Sequence, residues 1–178
     1  MHKTKYKAMK KVILGLTVFS FLVFSTTSCK KKTDDVTPVD TTDPNGYVLN
    51  ADITADRTLK ANSTYTMETM VYVKNGATLT IEGGAIIKVA KGKNALVITR
   101  GSKIVAVGSS SKPIVFTSNE SSPTYGDWGG IVILGKATTN ASFSGATGTG
   151  EIEGGVNNSS GDGLYGGTDD ADNSGKLK

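Results

Sequence analysis

The chain holds one cysteine, Cys29, and one histidine, His2, and both fall within the first 29 of its 178 residues. A single cysteine closes no intrachain disulfide, so the fold rests on packing alone. With no histidine beyond position 2, Ser-His-Asp and Cys-His nucleophilic catalysis are excluded from the body of the chain, as are ordinary zinc sites. A phosphate-binding glycine loop is missing as well. Gly145-Ala146-Thr147-Gly148-Thr149-Gly150 lacks both the lysine and the strand–helix context that such a loop needs. Acids are absent from residues 1–28, where Lys3, Lys5, Lys7, Lys10 and Lys11 stand alone. The rest of the chain then carries 15 basic and 16 acidic residues, a net charge of −1. The pI of about 9.1 therefore belongs to the first segment and does not point to a nucleic-acid partner.

Long apolar runs are also lacking, with the exception of Val12–Phe24. Its 13 residues would span roughly 20 Å as a helix, short of a ~30 Å hydrocarbon core. Lysines before it and the small residues Ser25–Ser28 after it give the three-part layout of a secretory signal over residues 1–28. Met9-Lys10-Lys11 would make the more usual opening of such a signal. Cys29 lies where the signal would be cut. This resembles the lipobox of bacterial lipoproteins, with Thr26 where a leucine is commonest, and the resemblance implies a lipidated Cys29 as the mature N-terminus. More than one acyl chain on that residue would give durable membrane anchoring. Residues 29–46 (the lipidated cysteine, then Lys, Thr, Asp, Pro and Val without periodicity) read as a disordered tether.

What the body of the chain does have is a repeated sentence. Val71-Tyr72-Val73-Lys74-Asn75-Gly76 through Gly83 returns as Leu96-Val97-Ile98-Thr99-Arg100-Gly101 through Gly108, at a spacing of 25. Apolar residues recur at 71/96, 73/98, 79/104 and 81/106, and glycines at 76/101 and 83/108. The alternation within each copy has a period of two, which is strand periodicity. Branched residues take one face, while Tyr72, Lys74, Thr78, Thr80, Thr99 and Lys103 take the other. Asn75-Gly76 would suit a type I′ hairpin, the competing reading. The recurrence of the whole unit, with Arg100-Gly101 in place of Asn-Gly, favours one full coil per repeat. Three short strands in such a coil are the size of one rung of a parallel β-helix. Tyr47–Met70 reads as an atypical N-terminal cap.

A third unit starts at Gly129-Gly130-Ile131-Val132-Ile133-Leu134-Gly135, with Ile131 and Ile133 matching Leu96 and Ile98. Ile87 aligns with Ile114 at a spacing of 27. The connection Thr117–Gly130 is more than twice as long as its counterpart Ala90–Ala95, so it projects as a loop carrying Glu120, Tyr125, Asp127 and Trp128. Beyond Leu134 the apolar pattern thins, and 13 of the 22 glycines fall between Gly126 and Gly167. Ile152 is the one strong core candidate there, and Asn157–Lys178 reads as a long loop.

Trp128-Gly129-Gly130-Ile131-Val132-Ile133-Leu134-Gly135, Ile152-Glu153-Gly154, Gly163-Leu164-Tyr165-Gly166-Gly167 and Asp172-Asn173-Ser174-Gly175 together resemble a family of exported Bacteroidetes proteins. The likeness covers residues 47–178. It implies an all-β fold, a right-handed parallel β-helix of two to three rungs after the cap, and a lipoprotein of unassigned activity. It also implies further rungs beyond Lys178, since the family's strand pattern continues past the equivalent of Asp172-Asn173-Ser174-Gly175.

Few residues are left to carry chemistry. Glu151 and Glu153, two apart on one strand face, would stand about 7 Å apart, inside the window of an inverting glycosidase. They equally suit a solvated strand flanking Ile152. Asp170, Asp172 and Ser174 have the alternating oxygens of a calcium loop, but the twelfth ligand would fall beyond Lys178. An Asx-rich turn uses the same residues. Arg100 and Lys103 lack acid partners for a lyase-type calcium site, so they are expected to solvate the outer surface. Tyr125 and Trp128 are candidates to stack on a sugar ring, against the plainer reading of an aromatic packed under a loop.

The expectation is a lipoprotein of the cell envelope, held in the outer membrane through Cys29, with the cell surface as one location open to it. Its β-helix would present a face to a glycan or a protein. It would need no cofactor save the calcium candidate and have no catalytic site in this stretch. The alternative is the N-terminal part of a carbohydrate-active β-helix enzyme of the polysaccharide lyase or glycoside hydrolase kind.

Overall fold

A computed structural model describes residues 47–178. The expected signal segment, Cys29 and the tether lie outside the described residues. Among the described residues the regular structure is all strand, in fifteen pieces of two to four residues.

Three parallel sheets run along one coil. The first holds β1 (Val48–Leu49), β3 (Thr64–Met67), β6 (Ile86–Val89) and β9 (Val115–Ser118). The second holds β4 (Val71–Val73), β7 (Ala95–Ile98) and β10 (Gly130–Ile133), extended by a parallel bridge from Ile53 to Val73. The third holds β2 (Arg57–Leu59), β5 (Thr78–Ile81), β8 (Lys103–Ala106) and β15 (Gly175–Leu177). Each turn of the chain visits the sheets in the same order, so the described residues form four coils of a parallel β-helix.

The doubled sentence is two neighbouring coils in register. Val71 pairs with Leu96, Val73 with Ile98, Leu79 with Ile104 and Ile81 with Ala106, the same equivalences that the sequence repeat shows. No hairpin forms at Asn75-Gly76, because β4 and β5 each pair with the next coil and not with each other. Both residues instead turn a left-handed corner, at φ 61° and 79°, and the Gly76 amide donates to the Ser102 hydroxyl at 3.2 Å.

Period-two burial explains why the coil closes. Leu49, Leu59, Met67, Leu79, Ile81, Ile87, Ile98 and Ile104 stack inward with almost no exposure. Each contributes about 1.5–3 kcal/mol of hydrophobic stabilisation. The buried polar residues among them are satisfied locally: the Thr99 hydroxyl donates to the Val73 carbonyl at 2.9 Å.

Several expectations need correction. Tyr47–Met70 is not a separate cap: residues 48–59 form a first coil, with Leu49, Ile53 and Leu59 facing the same core, and Thr64–Met67 already belongs to the second. Ile87 pairs with Phe116, not Ile114, because the Ser109–Lys112 turn takes up two more residues than the sequence spacing suggested. The C-terminal stretch is not all loop: Gly175–Leu177 returns as β15 to pair with β8 and complete the fourth coil. Gly175 has φ 120°, and a Cβ there would run into the Ile104 carbonyl oxygen. Residues 134–174 are therefore an excursion out of the fourth coil.

That excursion covers the outer face of the second sheet, a further correction. The face that carries Tyr72 was expected to meet water, but Val97 on that face is fully buried. The excursion carries two antiparallel ribbons, β11 (Ser142–Phe143) with β12 (Ala146–Thr147) and β13 (Gly150–Glu151) with β14 (Leu164–Tyr165). Leu134, Ile152, Val156 and Tyr165 pack on this second apolar cluster, so Ile152 is not its only core residue. Polar clasps hold the cover down. The Tyr72 hydroxyl donates to the Val156 carbonyl at 2.6 Å, and Arg100 Nη1 donates to the Gly166 carbonyl at 3.0 Å. Lys74 Nζ bridges Asp52 at 2.6 Å and Asp162 at 3.3 Å.

In the fourth coil, the last among the described residues, the inward ladder is less covered. Ile114, Phe116, Trp128 and Ile131 are half-buried there, while Ile133 and Leu177 are 41% and 50% exposed.

Candidate functional site

The projecting loop between β9 and β10 builds a pocket of about 480 Å³. Its floor is made by Phe116, from β9, and Trp128, whose rings stack with centroids 6.2 Å apart and planes 18° from parallel. Tyr125 stands on the rim, fully exposed. Thr117, Ser118, Pro123 and Thr124 complete the lining. The sequence candidates Tyr125 and Trp128 are thus brought together.

The wall is held by a buried carboxylate. Asp127, 2% exposed, accepts from the Thr124 amide at 2.8 Å and the Thr124 hydroxyl at 2.9 Å. Lys91 Nζ lies 3.2 Å from its Oδ1. The Thr124 amide, first, with the Ser118 and Thr124 hydroxyls, holds the Asp127 carboxyl far below the usual carboxylate range, against the opposing effect of burial. Main-chain bonds tie the same loop to the turn of the coil before it: Gly92 N donates to the Asp127 carbonyl at 2.8 Å, and Gly129 N to the Asn94 carbonyl at 2.7 Å. The pocket wall is therefore pinned before any ligand arrives.

Phe116 was missed because the two-residue miscount at Ser109–Lys112 placed Ile114 in its position. Asp127 was seen only as a loop acid. A threonine three residues before it was the available sign of a side-chain-closed turn.

The other candidates do not converge. Strand β13 ends at Glu151, and Glu153 lies in the turn that follows, so the two acids do not share a strand face; both are exposed. The would-be calcium ligands cap backbone instead. Asp170 Oδ1 accepts from Thr138 N at 2.8 Å, and that amide, then the Thr138 hydroxyl, lowers its pKa. Asp172 Oδ2 accepts from Lys136 N at 3.0 Å and from the Ser174 hydroxyl at 3.2 Å. Among the described residues, no three side chains of the metal-binding types are grouped closely enough to hold an ion. The local Asx turns are made by the neighbours of Asp170 and Asp172, where Asp169 Oδ1 accepts from Ala171 N at 3.2 Å and Asn173 Oδ1 from Gly175 N at 2.9 Å. Lys103 is exposed, as expected, whereas Arg100 is half-buried and reaches the excursion.

A family model described as a pectate-lyase-like beta helix domain matches residues 51–178, from the first coil to the end of the fourth. The chain belongs to that family. Searches of curated proteins and of solved structures return no match. For this pectate-lyase-like β-helix, membership agrees with the parallel ladders and leaves the function of the pocket to be argued from its own residues.

Proposed function

We propose that this pectate-lyase-like β-helix protein is a non-enzymatic, exported lipoprotein of the Bacteroidetes kind that its glycine motifs resemble. It is anchored to the outer membrane through Cys29 and holds a sugar ring against Trp128. The observation that carries the binding reading is the near-parallel Phe116–Trp128 pair flooring an open pocket, with Tyr125 on its rim. A pyranose presents a C–H face to such a floor, and its hydroxyls can donate to the oxygen of Thr124 on the wall. The volume falls within the range typical of small-ligand pockets. The anchor reading is supported by the layout of residues 1–29.

Trp128 is the only tryptophan, so its emission reports the pocket directly. Titration with a panel of soluble oligosaccharides is expected to shift that emission. Because Tyr125 makes no packing contact the fold depends on, Tyr125→Ala should weaken binding about 2–10-fold, the worth of one aromatic contact, without altering the circular dichroism. A panel that leaves emission and gel mobility unchanged would refute the reading. The family name favours a second reading, an enzyme acting on polysaccharide. Calcium-dependent release of shorter chains by the full-length protein would establish it in place of the first.

A further inference from the structure

We infer that the pocket beside Trp128 selects a neutral sugar unit and discriminates against a uronate; this rests on the glycan reading above. Among the described residues that line the pocket, none carries a charge. The polar side chains there are hydroxyls that match no full charge, and those of Ser118 and Thr124 already give their protons to Asp127, leaving them to a sugar as acceptors only.

The charged groups around the pocket sharpen the case. Asp127 is buried beneath the wall and its charge is offset by Lys91, so the pair offers a uronate no net positive charge. Lys91 is the cation that reaches that wall, and it is already engaged with Asp127 at 3.2 Å. At 63% exposure it is a solvated charge that would attract a uronate only weakly, and it would have to give up that contact to do so. Lys88 pairs with Thr117 in the ladder but is exposed, as is Lys93 on the turn after β6, and neither lines the pocket. Glu120, exposed two residues beyond Ser118, offsets them on the loop side. An exposed lysine attracts a carboxylate only weakly in water. A uronate on the Phe116–Trp128 floor would therefore give up hydration of its carboxylate with no dedicated cation in return. A neutral hexose loses nothing equivalent.

The test uses matched oligosaccharides that differ only at C6: tetragalacturonate against α-1,4-galactotetraose, and tetramannuronate against β-1,4-mannotetraose, with cellotetraose against its glucuronate counterpart. Each is titrated into the full-length protein while Trp128 emission is followed. The expected result is at least tenfold tighter binding of the neutral member in every pair that binds. Equal or tighter binding of a uronate member overturns the inference and leaves the glycan reading standing. No response from either member of any pair overturns both. Tyr125→Lys supplies the missing cation from the fully exposed rim of the pocket, and the loss of the ring, common to both members of a pair, cancels in the ratio. It is expected to move the neutral-to-uronate ratio at least fivefold toward the uronate. An unmoved ratio would show that charge is not the discriminator, and the inference would fall.

Discussion

Val97 and Val105 occupy the same kind of position, the outward-facing third residue of a four-residue strand in the same coil. On a bare β-helix both would sit at the surface, and trimming either to alanine would cost little. Here Val97 is fully buried between the second sheet and Leu134, Val156 and their neighbours, whereas Val105 is half-exposed. Val97→Ala removes two buried carbons, at ~0.8 kcal/mol each. The gap left between two rigid layers adds to this, for a total of about 2–3 kcal/mol. Val105→Ala, at a half-exposed site, should cost under about 1 kcal/mol. The assay is urea unfolding followed by circular dichroism, with each variant compared at its midpoint. At ~2–4 °C per kcal/mol for a domain of this size, thermal melts should separate the two variants by several degrees. Equal losses would mean that residues 134–174 do not cover the second sheet, and the account of the excursion would be wrong.

Two further predictions follow from named contacts. Asp127 has a folded pKa below its unfolded value of ~4, so its stabilising effect is present above pH ~4 and is lost as the pH falls below it. Asp127→Asn should flatten the acid limb of the stability–pH curve between about pH 4 and 2, and an unchanged limb would refute the role given to that carboxylate. Gly175→Ala puts a Cβ against the Ile104 carbonyl and should detach β15, exposing the 134–174 segment to limited proteolysis while the first three coils stay protected; protection equal to wild type would contradict the pairing of β15 with β8.

The coil was legible because its signal is repetitive. Four apolar positions recurring at one fixed spacing leave one consistent register, and the ladders Val71–Leu96 and Leu79–Ile104 follow it. Ile131 and Ile133 extended the same reasoning correctly to the fourth coil. The errors lie where a strand carries little hydrophobic pattern. Gly175-Lys176-Leu177 has one apolar residue, so nothing local marked it as a strand; its place is set by pairing with β8. The first coil resembles a cap in sequence because its strands are shorter and its repeat is tighter, so that Arg57 meets Leu79 across less chain than Leu79 needs to reach Ile104. Tyr125 and Trp128 were legible as a site from residue type and loop length alone. Phe116 and the tethering role of Asp127 depend on a register and on contacts between loops that spacing does not encode.

The same excursion bears on the order in which the chain folds. Ile104 meets Leu79 one short coil back, but its partner in the next coil, Gly175, lies across nearly three times as much chain. Closing the longer loop costs roughly 1 kcal/mol more in chain entropy, and β15 brings only three residues to the pairing, with no buried ladder residue among them. The first three coils, which hold nearly all the fully buried side chains, are thus the natural nucleus, and the fourth closes late. Until it does, the third coil exposes its free edges and the apolar faces of Ile104 and Val97, so this interval is when a nascent chain is most exposed to misassociation.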